Sequence, residues 1–277
     1  IRELRMSRGL GDVYKRQSLF RSVVEEAEAQ DAPAIVQVAP GEFEFATKEF
    51  YTYVRERLAG SRVPFVLHLD HGKSVEQCMK AIQAGFTSVM LDGSELPYEE
   101  NVSLTKEMSG LAHMVDVSVE GEIGTIGVMS NSEEGGGEHV TYTNPEDVVD
   151  FVTKTGVDCL AIAIGTAHGI YPKGFVPKLQ LELLEKIQAV SPVPLVLHGG
   201  SNNPDEEIRE ACRIGIRKVN ISSDFKYAFF KKVNQVIEET GGFIPAKVLN
   251  PGIEDAKQVI REKMELFGSL GKAGLYR

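Results

Sequence analysis

The chain has 277 residues, and its 42% hydrophobic and 25% charged content describe an ordinary globular protein with enough apolar material for a sizeable core. Forty acidic residues against 30 basic ones give a net charge of −10, so a phosphate backbone would meet net repulsion, and the absence of a basic stripe argues against nucleic acid as a partner. Three widely spaced cysteines (Cys78, Cys159, Cys212) fit neither a disulfide framework nor a CxxC motif and read as core thiols of a reducing compartment, and no apolar run reaches the ~18–20 residues of a membrane helix.

The first 17 residues, IRELRMSRGLGDVYKRQ, start at Ile1, contain no apolar leader run and no strand-like run, and read as sequence foreign to the fold, with a divergent N-terminus as the alternative. The cytoplasm is the expected location, with no membrane partner. An organised pattern begins at Ser18, where Leu19, Phe20, Val23, Val24 and Ala27 form one stripe of a helix over 18–30. Short runs rich in Val, Ile and Leu then predict strands at 33–38, 64–69, 87–91, 112–120, 158–164, 193–198 and 217–221. Most are continuous rather than alternating, as in a parallel sheet covered on both faces. Between them, helical periods occupy 47–59, 74–84, 97–109, 144–155, 178–190, 204–215 and 223–239, with a further amphipathic helix near 252–268. Ser74 ahead of Gln77, Asn144 before Pro145 and Asn203 before Pro204 mark helix starts.

Repeated βα units on a chain of this length predict an α/β fold, a (β/α)8 TIM barrel occupying 18–277 as a single domain. No GxGxxG follows the first strand, as a dinucleotide-binding sheet would require. One strand is missing, and its place falls in residues 1–17. The polar, Gly-rich stretch 127–143 reads as a long βα loop on the face where barrels keep their catalytic groups, or as a plain solvated connection.

Chemistry collects at the strand ends. The runs end in His68-Leu69-Asp70-His71, Asp92-Gly93, Glu120-Gly121-Glu122, Gly165-Thr166-Ala167-His168-Gly169, His198-Gly199-Gly200-Ser201 and Asn220-Ile221-Ser222-Ser223. A closed barrel brings His71, His168 and His198 together, and three imidazoles with an open fourth position suit a catalytic Zn²⁺. His68 is read as support, and His113 and His139 as structural or exposed. Gly199, Gly200 and Ser201, together with Asn220, Ile221, Ser222 and Ser223, each follow a strand and precede a helix, where backbone N–H groups cradle phosphate.

These residues resemble the class II, metal-dependent ketose-bisphosphate aldolases, which include the fructose-1,6-bisphosphate and tagatose-1,6-bisphosphate enzymes. The likeness runs from about Ser18 to Ala273 and rests on LHLDHG (67–72), LDGS (91–94), VEGEIGTIG (119–127), GTAHGIY (165–171), VLHGGS (196–201), KVNISSD (218–224) and FGSLGKA (267–273). The resemblance implies Zn²⁺ on His71, His168 and His198, and Asp70 as acid/base. Asp92 and Glu122 match positions that hold a second divalent metal in some members, with barrel hydrogen bonding as the alternative. Gly169, Gly199 to Ser201 and Asn220 to Ser223 match the dihydroxyacetone-phosphate loops, where a monovalent cation also assists. A homodimer or homotetramer is implied.

The chain departs from the family in the loop after the fifth strand, where the usual base is a Glu in a GGxED-like stretch. Here Gly127-Val128-Met129-Ser130-Asn131 stands in register, leaving Glu133, Glu134 or Glu138, of which Glu134 is the first choice. Asn220-Ile221-Ser222-Ser223 also lacks an Asp found two residues after the Asn in some fructose-bisphosphate enzymes. The expected function is zinc-dependent cleavage of a phosphorylated sugar, fructose 1,6-bisphosphate first, to dihydroxyacetone phosphate and glyceraldehyde 3-phosphate. Tagatose 1,6-bisphosphate or another phosphorylated ketose is the alternative substrate. A metal-assisted hydrolase and a catalytically impaired sugar-phosphate-binding protein are the readings from other classes.

Overall fold

A computed structural model describes residues 17–128, 140–169, 171, 174 and 176–276. Residues 1–16 of the segment read as foreign, and Glu133, Glu134, Glu138 and His139, lie outside the described residues. The first elements in chain order are α1 (17–29), β1 (Ala34–Val38), α2 (Pro40–Phe45), α3 (Lys48–Ala59), β2 (Phe65–Gly72), α4 (Val75–Gln83) and β3 (Ser88–Leu91). Next come α5 (Tyr98–His113), β4 (Ser118–Ile123), β5 (Gly127–Val128), α6 (Pro145–Thr155), β6 (Cys159–Ile162) and β7 (Ala167–His168). The chain continues through α7 (Leu181–Val190), β8 (Leu195–Leu197), α8 (Asp205–Ile214), β9 (Ile216–Val219), α9 (Ser223–Thr240) and α10 (Pro245–Leu266).

Seven strands form one sheet in the order β1-β2-β3-β4-β6-β8-β9, and β2 through β9 pair in parallel. The pair β5-β7 stands apart. Alternating strand and helix along a parallel sheet is the α/β architecture of a TIM barrel, here with seven barrel strands among the described residues. That count matches the expectation of a missing first strand. No helix of the described residues is long and apolar enough to cross a membrane.

Two compact units share the chain: residues 37–55 with 66–221, and residues up to 36 with 56–65 and 222–277. In the second of these, α9 and α10 pack through Phe229, Val233, Val248, Ile253 and Ala256. This packing explains why α10 starts seven residues before the expected 252 and runs through Pro251. Pro251 forfeits one helical hydrogen bond, but Gly252 seats its backbone against Phe229 and Val233, where a Cβ would come within 2.7 Å of Val233 Cγ2. Tertiary burial outweighs the local breaker.

The unit 37–55 and 66–221 carries the strand ends. Its sheet interior is Leu67, Leu69, Val89, Met90, Val119, Leu160, Ile162, Leu195 and Leu197, all at most 2% exposed, which accounts for the continuous apolar runs. The strand expected at 112–120 is displaced. Helix α5 continues to His113, Met114 and Val115 turn out to solvent, Asp116 takes a left-handed φ of 56°, and β4 runs on to Ile123. Two glutamates therefore lie inside a strand rather than at its tip. Ser74 caps α4 by accepting from Gln77 N, and Asn144 caps α6 by accepting from Glu146 N. Asn203 does not cap α8. Its Nδ2 donates to Gly199 O and Ser201 O, tying down the loop after β8.

The far ends of β4 and β6 are held by one buried hydroxyl. Thr143 Oγ1 donates to Ile123 O at 2.6 Å and accepts from Ala163 N at 2.8 Å. Replacing Thr143 by the isosteric Val strands both backbone groups, each worth ~1–3 kcal/mol when buried without a partner. Urea unfolding of Thr143→Val is expected to show a loss of ~1–3 kcal/mol or more, whereas a loss under ~0.5 kcal/mol would mean that other groups take over these bonds.

Candidate metal and catalytic site

His71 sits where the register between β2 and β3 slips, between Leu69 and Gly72, and holds a left-handed φ of 49°. Such an irregularity re-aims a side chain, and a non-glycine residue keeps it only where its surroundings impose it. Two hydrogen bonds show what imposes it: His71 N donates to Met90 Sδ, and Nδ1 meets Asp92 Oδ2 at 2.9 Å. His168 ends β7 and His198 follows β8, and all three imidazoles are buried at 1% exposure or less. Their ligand atoms lie within 4.8 Å of one another.

The tautomers follow from the partners. His71 Nδ1 gives its hydrogen to Asp92, and His198 Nε2 gives its hydrogen to Glu120 Oε1 at 2.8 Å. In the neutral rings the remaining nitrogens, His71 Nε2 and His198 Nδ1, then both present lone pairs, and they face each other at 2.8 Å. Two lone pairs at that distance repel unless a cation stands with them. Carboxylates behind imidazoles that turn bare nitrogens to a common point are the arrangement of a metal-binding site, so the donor set fits the ion.

Without a metal, a proton serves. Burial would lower the His71 pKa, but Asp70, the hydrogen bond to Asp92 and Glu122 outweigh it and raise it to about 9. Burial works against the charged form of Asp70 too, yet His71, His198, Lys218 and His68 hold its carboxyl at about 2. Asp70 is thus an anion at neutral pH, 8% exposed, with both oxygens accepting from Asn220 Nδ2 at 3.0 and 3.1 Å. His198 is lowered, first by burial and next by His71. Glu122 is pushed well above the carboxylate range, by burial and then by Asp92, and its Oε2 has no hydrogen-bond partner.

Asp92 and Glu122 join His71 in a second metal-capable group. The structure engages both Asp92 oxygens already: Oδ2 accepts from His71 Nδ1 and from Lys73 Nζ at 2.7 Å, and Oδ1 accepts from Ser94 N and Oγ. His68 meets Ser88 Oγ at 2.8 Å and stands 3.8 Å from Asp70 Oδ1 and from Glu120 Oε2. His113 pairs with Asp158 on the surface, away from the cluster.

The glycines divide into different tasks. Gly199 has φ +60°, and a Cβ there would lie 2.6 Å from Ala167 O, so both conformation and space demand glycine. Gly200 donates its N–H to Asn220 O at 3.0 Å, which removes it from the expected phosphate donors. Its role is close approach, since a Cβ would meet Val219 Cγ1 at 2.6 Å and Asn220 O at 2.9 Å. Gly169 follows His168 with φ +97°. Asn220 and Ile221 close the same unit, whereas Ser222 and Ser223 belong to the other, as the N-cap and first residue of α9.

Two charged residues of this site, Glu120 and Lys218, carry no role that spacing or motif alone assigns; a charge inside an apolar strand run is the available signal.

Over residues 13–272 the chain matches the family described as fructose-bisphosphate aldolase class-II. It belongs to that family. The aldolase is 39% identical over 258 residues to the fructose-bisphosphate aldolase of Geobacillus stearothermophilus, covering 91% of this chain and 88% of that protein. It is 37% identical over 260 residues to the 6-phospho-5-dehydro-2-deoxy-D-gluconate aldolase of Bacillus licheniformis, covering 91% and 87%. Among solved structures, the YdjI aldolase from Escherichia coli K12 superposes with a TM-score of 0.80 at 32% identity, over 92% of this chain and 89% of that one. The chain is therefore a class II aldolase, a carbon–carbon lyase of a metal-dependent family.

The raised His71 pKa sets a pH dependence for the metal-free aldolase. A group near 6.5 when unfolded and about 9 when folded contributes stability that is complete below pH 6.5 and lost as pH rises through 9. Urea unfolding of chelator-treated protein is expected to show stability falling across that window, and His71→Asn is expected to flatten the fall. An equal slope in both proteins would contradict the assignment.

Proposed function

We propose that this aldolase reversibly cleaves a ketose 1,6-bisphosphate, with fructose 1,6-bisphosphate as the leading substrate, to dihydroxyacetone phosphate and glyceraldehyde 3-phosphate. The observation that carries the reading is the convergence of His71, His168 and His198 beside the ionised Asp70. Three neutral imidazoles favour Zn²⁺ over harder cations, and in this reading they hold it. When bound, the metal supplies Lewis-acid stabilisation of negative charge developing on substrate oxygens.

The remaining work falls to the chain. Asp70 takes the hydroxyl proton in cleavage and returns it to the aldehyde oxygen in condensation, and Asn220 keeps its carboxylate oriented. Glu134 is assigned the proton at the dihydroxyacetone-phosphate carbon. Gly169, Gly199 and Ser201 supply the phosphate cradle, while Gly200 locks the loop to Asn220. Asp92 acts as the orienting partner of His71, and a second divalent ion at Asp92 and Glu122 would require Lys73 to leave Asp92. A Schiff-base route through Lys218 is disfavoured: burial would free the amine, but Glu120 and Asp70 raise its pKa and hold it protonated.

The relatives carry two different substrate names, so fructose 1,6-bisphosphate, tagatose 1,6-bisphosphate and other phosphorylated ketoses are to be assayed side by side. Chelator treatment is expected to abolish cleavage and Zn²⁺ to restore it; full activity in metal-stripped protein would sink the zinc reading. Two variants separate the proton steps. Asp70→Asn is expected to lower kcat for cleavage by ~10²–10⁴-fold. Glu134→Gln is expected to slow solvent hydrogen exchange into dihydroxyacetone phosphate by a similar ~10²–10⁴ factor. Unimpaired exchange in Glu134→Gln would move that role to another residue.

A further inference from the structure

Lys218 lies on β9, two residues before Asn220, with its side chain 10% exposed and its ammonium nitrogen shut off from water. A buried ammonium is expensive to desolvate and persists only against opposing charge. That charge comes from Glu120, wholly buried on β4, whose Oε2 stands 2.8 Å from Lys218 Nζ. The other oxygen of the same carboxylate, Oε1, accepts from His198 Nε2 at 2.8 Å. One rigid carboxylate thus joins the ammonium to an imidazole of the metal site.

Among the described residues, Glu120 Oε2 has one lysine or arginine partner, Lys218. His68, Asp70 and Glu120 have the donor set of a cation site, with ligand atoms within 4.8 Å of one another. His68 Nε2 stays 3.8 Å from both carboxylates, and its pKa is lowered to about 4, so it is neutral at working pH. Within this trio, the ammonium of Lys218 stands against Glu120, at 2.8 Å from its Oε2.

We infer that Lys218 is a positioning residue for the metal centre, anchoring one oxygen of Glu120 so that the other fixes His198 with Nε2–H toward the carboxylate and Nδ1 bare toward the ion. The inference rests on the reading of the three imidazoles as metal ligands. Removing the anchor leaves Glu120 Oε2 with the weak Cys159 Sγ–H at 3.5 Å, too little to hold the carboxylate, so His198 loses the fixed partner that selects its tautomer and ring orientation. The expected damage is to metal affinity, at a residue that touches neither metal nor substrate.

Zinc affinity is measured by competition with a chromophoric chelator in the parent, Lys218→Met, Glu120→Ala and the double variant, with thermal unfolding of each metal-free protein as the fold control. Loss of an outer partner of a ligating histidine costs ~10–100-fold in metal affinity, and Lys218→Met is expected to fall in that range. In the Glu120→Ala background the same substitution is expected to change affinity less than twofold, because the path runs through Glu120. Ring ¹⁵N spectra of the zinc-loaded parent are expected to show His198 protonated at Nε2, with that signature broadened or lost in Lys218→Met. Lys218→Gln, which keeps a donor toward Glu120, is expected to lose less affinity and serves if methionine at 218 does not fold. A parent that binds zinc alongside a folded Lys218→Met or Lys218→Gln that binds it within twofold would overturn this inference alone, as would equal losses with and without Glu120. A parent that binds no zinc would overturn the metal reading as well.

Discussion

Two imidazole nitrogens that face each other at 2.8 Å, each with its opposite nitrogen committed to a carboxylate, set the terms for the rest of the site. Asp92 and Glu120 leave His71 and His198 no neutral tautomer that avoids apposed lone pairs. The chain must therefore bring a positive charge to that point, either a proton, which Asp70 and Asp92 help His71 to hold up to about pH 9, or a metal ion. Acid groups gathered around the imidazoles stabilise that charge, and their own anionic state depends on it. Asp70 held near 2 and His71 held near 9 are two views of one coupling.

Beneath the imidazoles runs a second layer of charge that reaches into the sheet interior. Glu120 on β4 and Lys218 on β9 are interior strand residues, and each offsets the burial of the other, with His198 and Asp70 adding to the balance. Asn220 extends the layer to Asp70, and Thr143 and Asn101 tie the backbone at the end of β4. The parallel strands supply rigid positions for these groups: Asp70 and His71 lie in the last residues of β2, His168 ends β7, and His198 follows β8 directly. In the proposed reading, a chain of net charge −10 meets its anionic substrate through local positive potential that a bound ion and backbone N–H groups would supply, against its overall sign.

Much of this was legible in the residues themselves. Apolar runs such as VLHL and CLAIAI marked strands because both faces of the sheet are covered, and Ser74 and Asn144 marked helix starts because their side chains do cap them. The histidines could be grouped because a parallel sheet places all its strand ends on one face. What misled were residues whose tertiary role differs from their local one. Met114 and Val115 imitate a strand but lie in a turn, and Pro251 suggests a helix boundary where packing on Phe229 carries the helix through. Asn203 has the chemistry of a cap and instead binds the glycine loop, and Gly200 has the look of a phosphate donor while its N–H is spent on Asn220. Lys218 and Glu120 were hidden because a pairing between distant strands leaves no trace in spacing along the chain.

X-ray absorption of the zinc-loaded protein tests the central claim most directly, because it reads the donor set around the ion. Three nitrogen ligands at ~2.0–2.1 Å are predicted, with imidazole outer-shell scattering that drops by one third in His198→Ala. A first shell containing sulfur, a shell of carboxylate oxygens without imidazole scattering, or an unchanged spectrum in that variant would contradict the account.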